Sequence, residues 1–228
     1  MAFRKTCAAL SALLALSACN MVVSEKPWFD AASGPQLKDG LWVNLQSNDC
    51  KFDPAGPIAE WPKCADPMLV KGNVYSGPPS ANDDPDGTKR LERSTWTEIQ
   101  HVLVDGTPQI DQILLPLPQQ DGAQPAGMPK QLYLYLAVGP QAKDSEGRII
   151  ETQRWPILCG PMPAKPKKMA DGMPRLMTDR PYKGIRIERD MCFAEDVPAL
   201  HNAAAQSEVA AGEAGFTKVT SRWIRPEI

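Results

Sequence analysis

Residues 95–115 read TWTEIQHVLVDGTPQIDQILL, and this stretch decides the fold class. Thr95, Thr97, Ile99, His101 and Leu103 alternate with Trp96, Glu98, Gln100, Val102 and Val104. Successive side chains of an extended chain point to opposite faces, so the two sets belong to the two faces of one strand. Asp105-Gly106-Thr107-Pro108 carries turn chemistry, and Ile110 to Leu115 brings the chain back. The whole predicts a β-hairpin.

The same reasoning extends outward. Leu41 to Gln46 predicts a first strand and Met68 to Tyr75 a second. Between them Cys50, Asp53-Pro54, Gly56-Pro57, Trp61-Pro62 and Cys64 mark an excursion, with one helical turn near Ile58 to Trp61. Beyond the hairpin, Leu132, Leu134, Leu136 and Val138 share one face of a strand. Arg148 to Leu158, Gly184 to Arg189 and Phe216 to Ile224 read as further strands. Asp196 is a plausible N-cap and Pro198 suits a first turn, predicting a helix to about Ala211 with Gly212 as its stop. Residues 76–88, 116–130 and 160–183 read as loops. Short strands separated by turn signals predict a mainly β protein, an antiparallel barrel or sandwich of about eight strands with one late helix. Either arrangement deals with exposed strand edges, and the helix would cover an open end or pack outside.

The chain opens with Arg4 and Lys5, followed by the apolar and small-residue run CAALSALLALSA from Cys7 to Ala18. As a helix this run is about 18 Å long, against roughly 30 Å of bilayer hydrocarbon, so it fits a signal peptide better than a spanning segment. It ends in Leu16-Ser17-Ala18-Cys19, which resembles the lipobox of bacterial lipoproteins. The resemblance is confined to the first twenty residues or so. It implies cleavage before Cys19, a diacylglyceryl group on the Cys19 thiol and attachment to a membrane through that lipid. A single acyl chain holds only marginally, and two or three make a stable anchor. Asn20, where an aspartate would imply retention at the inner membrane, points to the outer membrane, facing the periplasm. An ordinary signal cleaved after Ala18 is the alternative. The expected organisation is a signal peptide at 1–18, a lipidated tether at 19–36 and a β-rich domain at 37–228. Trp28-Phe29 could instead dock on the domain or touch the membrane interface.

The formal charge is −2, and becomes −4 once Arg4 and Lys5 are removed. No basic excess points to nucleic acid. Of six cysteines, Cys7 leaves with the signal and Cys19 takes the lipid. Cys50, Cys64, Cys159 and Cys192 remain, an even number suited to disulfides in an exported chain. Three pairings exist, and pairing neighbours (Cys50 with Cys64, Cys159 with Cys192) asks least of the chain. A zinc site lacks its usual C-x2-C spacing here.

Catalytic patterns are missing from the sequence: no G-x-S-x-G, S-x-x-K, H-E-x-x-H, P-loop or Rossmann glycines. His101 and His201 are the two histidines, with Asp105 near the first. Asn82, Asp84, Asp86 and Gly87 imitate the start of a calcium loop, but Arg93 stands where its closing glutamate belongs. Met162, Met169, Met173, Met177 and Met191 could suit Cu(I), and Lys165, Lys167 and Lys168 could meet phosphate; a loop pinned by its apolar residues and solvated by its lysines is the simpler expectation. No cofactor, metal or catalytic residue is therefore expected. Finally, Gly40-Leu41-Trp42 is similar to the G-x-W of lipocalins at the first strand of an eight-stranded barrel. That resemblance implies a late helix, an arginine (Arg222) packing on Trp42, and a small apolar ligand. The leading expectation is a membrane-anchored envelope protein with a non-enzymatic role, binding an envelope partner or supporting the envelope. A lipocalin-like carrier and an envelope hydrolase with an unrecognised site remain the alternatives.

Overall fold

The alternating segments form strands, in chain order β1 (Val23–Ser24), β2 (Gly40–Leu45), β3 (Ala65–Lys71), β4 (Val74–Gly77), β5 (Thr97–Val104), β6 (Gln109–Leu115), β7 (Leu132–Lys143) and β8 (Ile149–Pro156). Two-residue strands β9 (Lys167–Lys168) and β10 (Pro174–Arg175) follow, then the hairpin β11 (Ile185–Glu188) and β12 (Met191–Ala194), helix α1 (Val197–Glu213) and β13 (Val219–Arg225). This computed structural model describes residues 20–47, 49–79, 92–115, 131–163, 167–168, 174–175, 177–188, 191–213 and 218–226.

Strands β2 to β8 pair in sequence order, every pair antiparallel, and β13 lies between β8 and β2. The last strand thus joins the first and closes an eight-stranded barrel. Closure leaves no unpaired edge in the ring. The expected second strand, Met68 to Tyr75, is instead two strands turning at Gly72-Asn73. The hairpin predicted over 90–115 is present as β5 and β6, Thr97–Val104 and Gln109–Leu115.

The two ends of the barrel differ. Residues 72–73, 105–108 and 144–148 make the short turns at one end. At the other end, residues 46–64, 78–96, 116–131 and 157–218 make long connections.

Residues 20–36 are not a free tether, a correction to the expected organisation. Val22 and Val23 are buried, Val22 N–H donates to Ile157 O at 2.8 Å, and β1 pairs with β7 beside Leu134 and Tyr133. The Gln112 side-chain oxygen accepts from both Trp28 N–H and Phe29 N–H, and its amide donates to Phe29 O. Ser33 N–H donates to Leu103 O, and Gln36 O accepts from Ile149 N–H, so the segment then crosses the short-turn end. An apolar Val-Val pair and a chain of otherwise unsatisfied backbone groups find partners on the barrel, which a solvated tether would forgo.

Three apolar clusters result. One fills the barrel, with Trp42, Val70, Tyr75, Leu103, Val138 and Ile149. A second lies between the outer face of β6–β8 and a cover made of α1, β11 and β12. The buried stripe of α1 is Leu200, Ala203, Ala204 and Ser207, a helical spacing of mostly small residues that lets the helix approach the sheet closely. Asp196 caps it by accepting from Ala199 N–H at 2.7 Å, and the helix continues through Gly212, where a stop was expected. The third cluster covers the outer face of β2, β3 and β13 with Trp61, Phe52 and Cys50 of the excursion. Cys50 is bonded to Cys64 and Cys159 to Cys192, the neighbour pairing.

Candidate functional site: the barrel interior

Strand register decides what the interior offers. His101 pairs with Ile113, Asp111 with Leu136, Gln109 with Val138, and Val138 with Arg154. Cross-strand neighbours share a face, so these polar residues point inward with the apolar core. The interior face is therefore not uniformly apolar.

Asp111, with no exposed surface, is the hub. Tyr75 Oη donates to its Oδ2 at 2.6 Å, and His101 Nδ1 lies 2.9 Å from its Oδ1. Arg154 Nη2 donates to Tyr75 Oη at 3.2 Å, and Arg154 Nη1 stands 3.9 Å from the carboxylate. The Tyr75 and His101 rings stack with centroids 3.7 Å apart, and the Arg154 guanidinium sits 4.9 Å from the Tyr75 centroid. Burial pushes the Tyr75 hydroxyl well above its usual range, Arg154 opposes this, and Asp111 adds to it. One arginine faces one carboxylate, so the buried charges offset each other, as burial of ions requires.

Four atoms of this interior have no hydrogen-bond partner: His101 Nε2, Arg154 Nε, Thr152 Oγ1 and Gln109 Oε1. Gln109 is oriented by its amide, which donates to Pro35 O at 3.0 Å. His101 Nε2 being unpartnered, no serine or threonine hydroxyl completes a catalytic triad there. Asp105, the acid expected near His101, instead accepts from Gly106 N–H in the hairpin turn.

Toward the long-loop end the inward face changes character. Ile99, Leu115, Leu134 and Leu136 face inward by register yet are only half-buried. These half-buried apolar side chains stand beside Leu132, which is buried. Leu136 sits directly across from Asp111, so the half-buried apolar face reaches the polar hub.

The short-turn end is plugged. Trp42 is fully buried and donates its indole N–H to Lys38 O at 2.8 Å. Trp223, its cross-strand partner, donates to Asp39 O, and the Lys38 ammonium lies 4.1 Å from the Trp223 centroid. Asp144 holds Lys38 at 3.2 Å. Burial works against ionisation of Asp144, but hydrogen bonds from Arg148, Lys38 and the Glu146 N–H outweigh it and bring its pKa down to about 2. Gly40 fits because any Cβ there would stand 2.5 Å from Arg225 O. The lipocalin resemblance placed Arg222 on Trp42, and this is not found. Arg222 pairs with Val43 on the outer face and bonds Glu151. Lys38 and Trp223 take the capping place instead.

His201 lies outside the barrel, 6.5 Å edge-on from Phe29, its pKa lowered by burial. The two histidines are thus separated by the barrel wall. Met177 is buried 3.3 Å from the Cys192 sulfur, as a packing residue. The calcium-like stretch 82–87, Met169, Met173, Lys165 and Cys19 lie outside the described residues. Among the described residues no group of three acidic, histidine or cysteine side chains could hold a metal, and no helix is long and apolar enough to cross a membrane. A separate groove of about 310 Å³ runs over the outer face of β3–β5, between Lys71, Arg93 and Glu98.

These features define a closed up-and-down antiparallel barrel, plugged at its short-turn end and polar at mid-depth. The chain matches no protein-family model, no curated protein and no solved structure.

Proposed function

We propose that this protein is a lipid-anchored envelope barrel that holds a small, largely apolar molecule inside. The observation that carries the binding reading is the set of inward-facing, half-buried Ile99, Leu115, Leu134 and Leu136 above a plugged floor. Protein interiors pack to crystal-like density, and apolar walls left wet in a closed barrel are the usual mark of a ligand cup. Each methylene transferred from water to such a wall is worth about 0.8 kcal/mol, so a medium-length aliphatic chain suffices for micromolar binding.

The anchoring part of the proposal rests on Leu16-Ser17-Ala18-Cys19 after a short apolar run. It puts diacylglyceryl on Cys19 and the barrel at the outer membrane, facing the periplasm. The anchor then has no spacer. Asn20 is fully buried, its amide donating to Gly160 O at 2.6 Å and its side-chain oxygen accepting from Thr178 N–H. One residue spans at most about 3.5 Å, so the barrel would rest on the lipid surface.

The test uses the full chain with Cys19→Ser, which removes the acylated thiol and leaves the barrel intact. A neutral fluorescent naphthylamine should light up on binding and be displaced by aliphatic compounds. Native mass spectrometry of the same protein should retain a small molecule from the cell. A chain that neither enhances the probe nor carries any molecule would sink the binding reading. Intact mass of the wild-type product tests the anchor separately, through the acyl mass on Cys19.

A further inference from the structure

Buried polar atoms without partners are rare because each costs about 1–3 kcal/mol. Four of them around one interior rival the 5–15 kcal/mol total stability of an ordinary domain. His101, Gln109 and Thr152 are each at most 3% exposed and Arg154 is 7% exposed, so bulk water does not satisfy them. Their partner is a molecule held inside the barrel, water or ligand. The half-buried Leu136, facing Asp111 in register, marks where the cup meets these groups.

The chemistry of the four atoms selects the partner. Asp111 accepts from Tyr75 and from His101 Nδ1–H, and a neutral imidazole held in this way offers a lone pair at Nε2. Gln109 Oε1 is also an acceptor, its amide nitrogen being committed to Pro35 O. Arg154 Nε is a donor only, and the Thr152 hydroxyl serves either way. The unsatisfied set is therefore mixed, donors beside acceptors. Its charge is already closed, since Arg154 faces Asp111. A carboxylate or phosphate head would add an uncompensated buried charge and leave the acceptors His101 Nε2 and Gln109 Oε1 facing another acceptor. An alkane would leave all four atoms as they are.

We infer that the barrel selects an aliphatic molecule ending in a neutral head that both donates and accepts, a hydroxyl or a primary amide. The head gives its hydrogen to His101 Nε2 or Gln109 Oε1 and takes one from Arg154 Nε or Thr152 Oγ1. The tail lies along Ile99, Ile113, Leu115 and Leu134 toward the long-loop end. This rests on the ligand-cup reading and narrows it to a head-group class.

The test is displacement of the naphthylamine from the full chain with Cys19→Ser by decane, decanol, decanamide and decanoate at neutral pH. Decanol and decanamide should displace it at about tenfold lower concentration than decane, the worth of one net hydrogen bond. Decanoate should be weaker than decanol. Thr152→Val, nearly isosteric, and separately His101→Phe should shrink the decanol-to-decane ratio to about threefold or less. Circular dichroism and the urea midpoint show separately that each variant is folded. Equal affinity for the neutral series would overturn the inference and assign the four atoms to ordered water, with the cup itself intact. Tightest binding of decanoate would overturn it in favour of an anionic head. If decane also fails to bind, the cup falls and the head-group inference with it.

Discussion

Asp111 is a carboxylate in the middle of an apolar strand, and everything around it depends on its charge. Removing it leaves Tyr75 Oη, His101 Nδ1 and the Arg154 guanidinium buried without their acceptor. Breaking a buried pair from one side costs roughly 3–5 kcal/mol, because the remaining charge keeps its desolvation penalty. Asp111→Ala should therefore lower the urea midpoint by about 2 M at a typical slope for a small domain. Asp111→Ala with Arg154→Met should lose much less than the two single losses added, since neither charge is then left alone. Strict additivity would show that the two do not share one network. This hub was partly legible in the sequence. His101 was placed on the same face as Ile99 and Leu103, which is its true side. Asp111 carried the same signal, two residues from Ile113 on an apolar face, but a period-2 pattern does not reveal which strands meet across a barrel. Asp105, adjacent in sequence, looked like the partner, and pairing register chose Asp111 instead.

The strands were easier to find than to count. Eight were expected and eight form the barrel, but the sets differ by two compensating elements. The single strand expected over Met68 to Tyr75 is β3 and β4, because Gly72-Asn73 permits a two-residue turn inside an apolar run. The strand expected near Gly184 to Arg189 is β11, which lies outside the barrel and, among the described residues, pairs with β12 alone. Its position depends on tight docking against α1. Gly184 has φ +79°, and a Cβ there would stand 2.5 Å from Ala199 Cβ. Gly184→Ala should thus cost more than about 1 kcal/mol, from both the left-handed backbone and the collision. It should do so by loosening β11, β12 and the start of α1, seen as faster amide exchange there with the barrel strands unchanged. Uniform protection across the molecule would show that hairpin and helix are not held by this contact. The neighbour disulfides, by contrast, followed from chain economy alone, as the short loops between Cys50 and Cys64 and between Cys159 and Cys192 suggested.

Residues 20–36 bind the molecule into one unit, and here the sequence reading failed for a physical reason. Polar, proline-containing segments between an anchor and a domain look like spacers, and only the tertiary surface shows that Val22-Val23 has a seat. That seat joins separate layers. Val22 belongs to the cluster under α1 and lies beside Cys192, Ser24 shares a 2.6 Å hydrogen bond with Tyr135, and Pro35 O accepts from the Gln109 amide at the barrel floor. Burial pushes the Tyr135 hydroxyl up to about 12, consistent with a site sealed by the segment above it. A chain beginning at Leu37 would expose this surface. Losing two buried valines at about 1.5–3 kcal/mol each and the Ser24 bond at about 1 kcal/mol removes at least about 4 kcal/mol. From a domain of ordinary stability that is about a quarter or more of the total. The fragment from Leu37 should therefore unfold about 2 M earlier in urea than the chain from Asn20, or fail to fold. Extending the chain by a flexible glycine-serine linker between Cys19 and Asn20 should leave the midpoint where it was, because no packed residue is disturbed. If the fragment from Leu37 matched the longer chain in urea, residues 20–36 would be a tether after all, and the proposed closeness of barrel to lipid would have no structural basis.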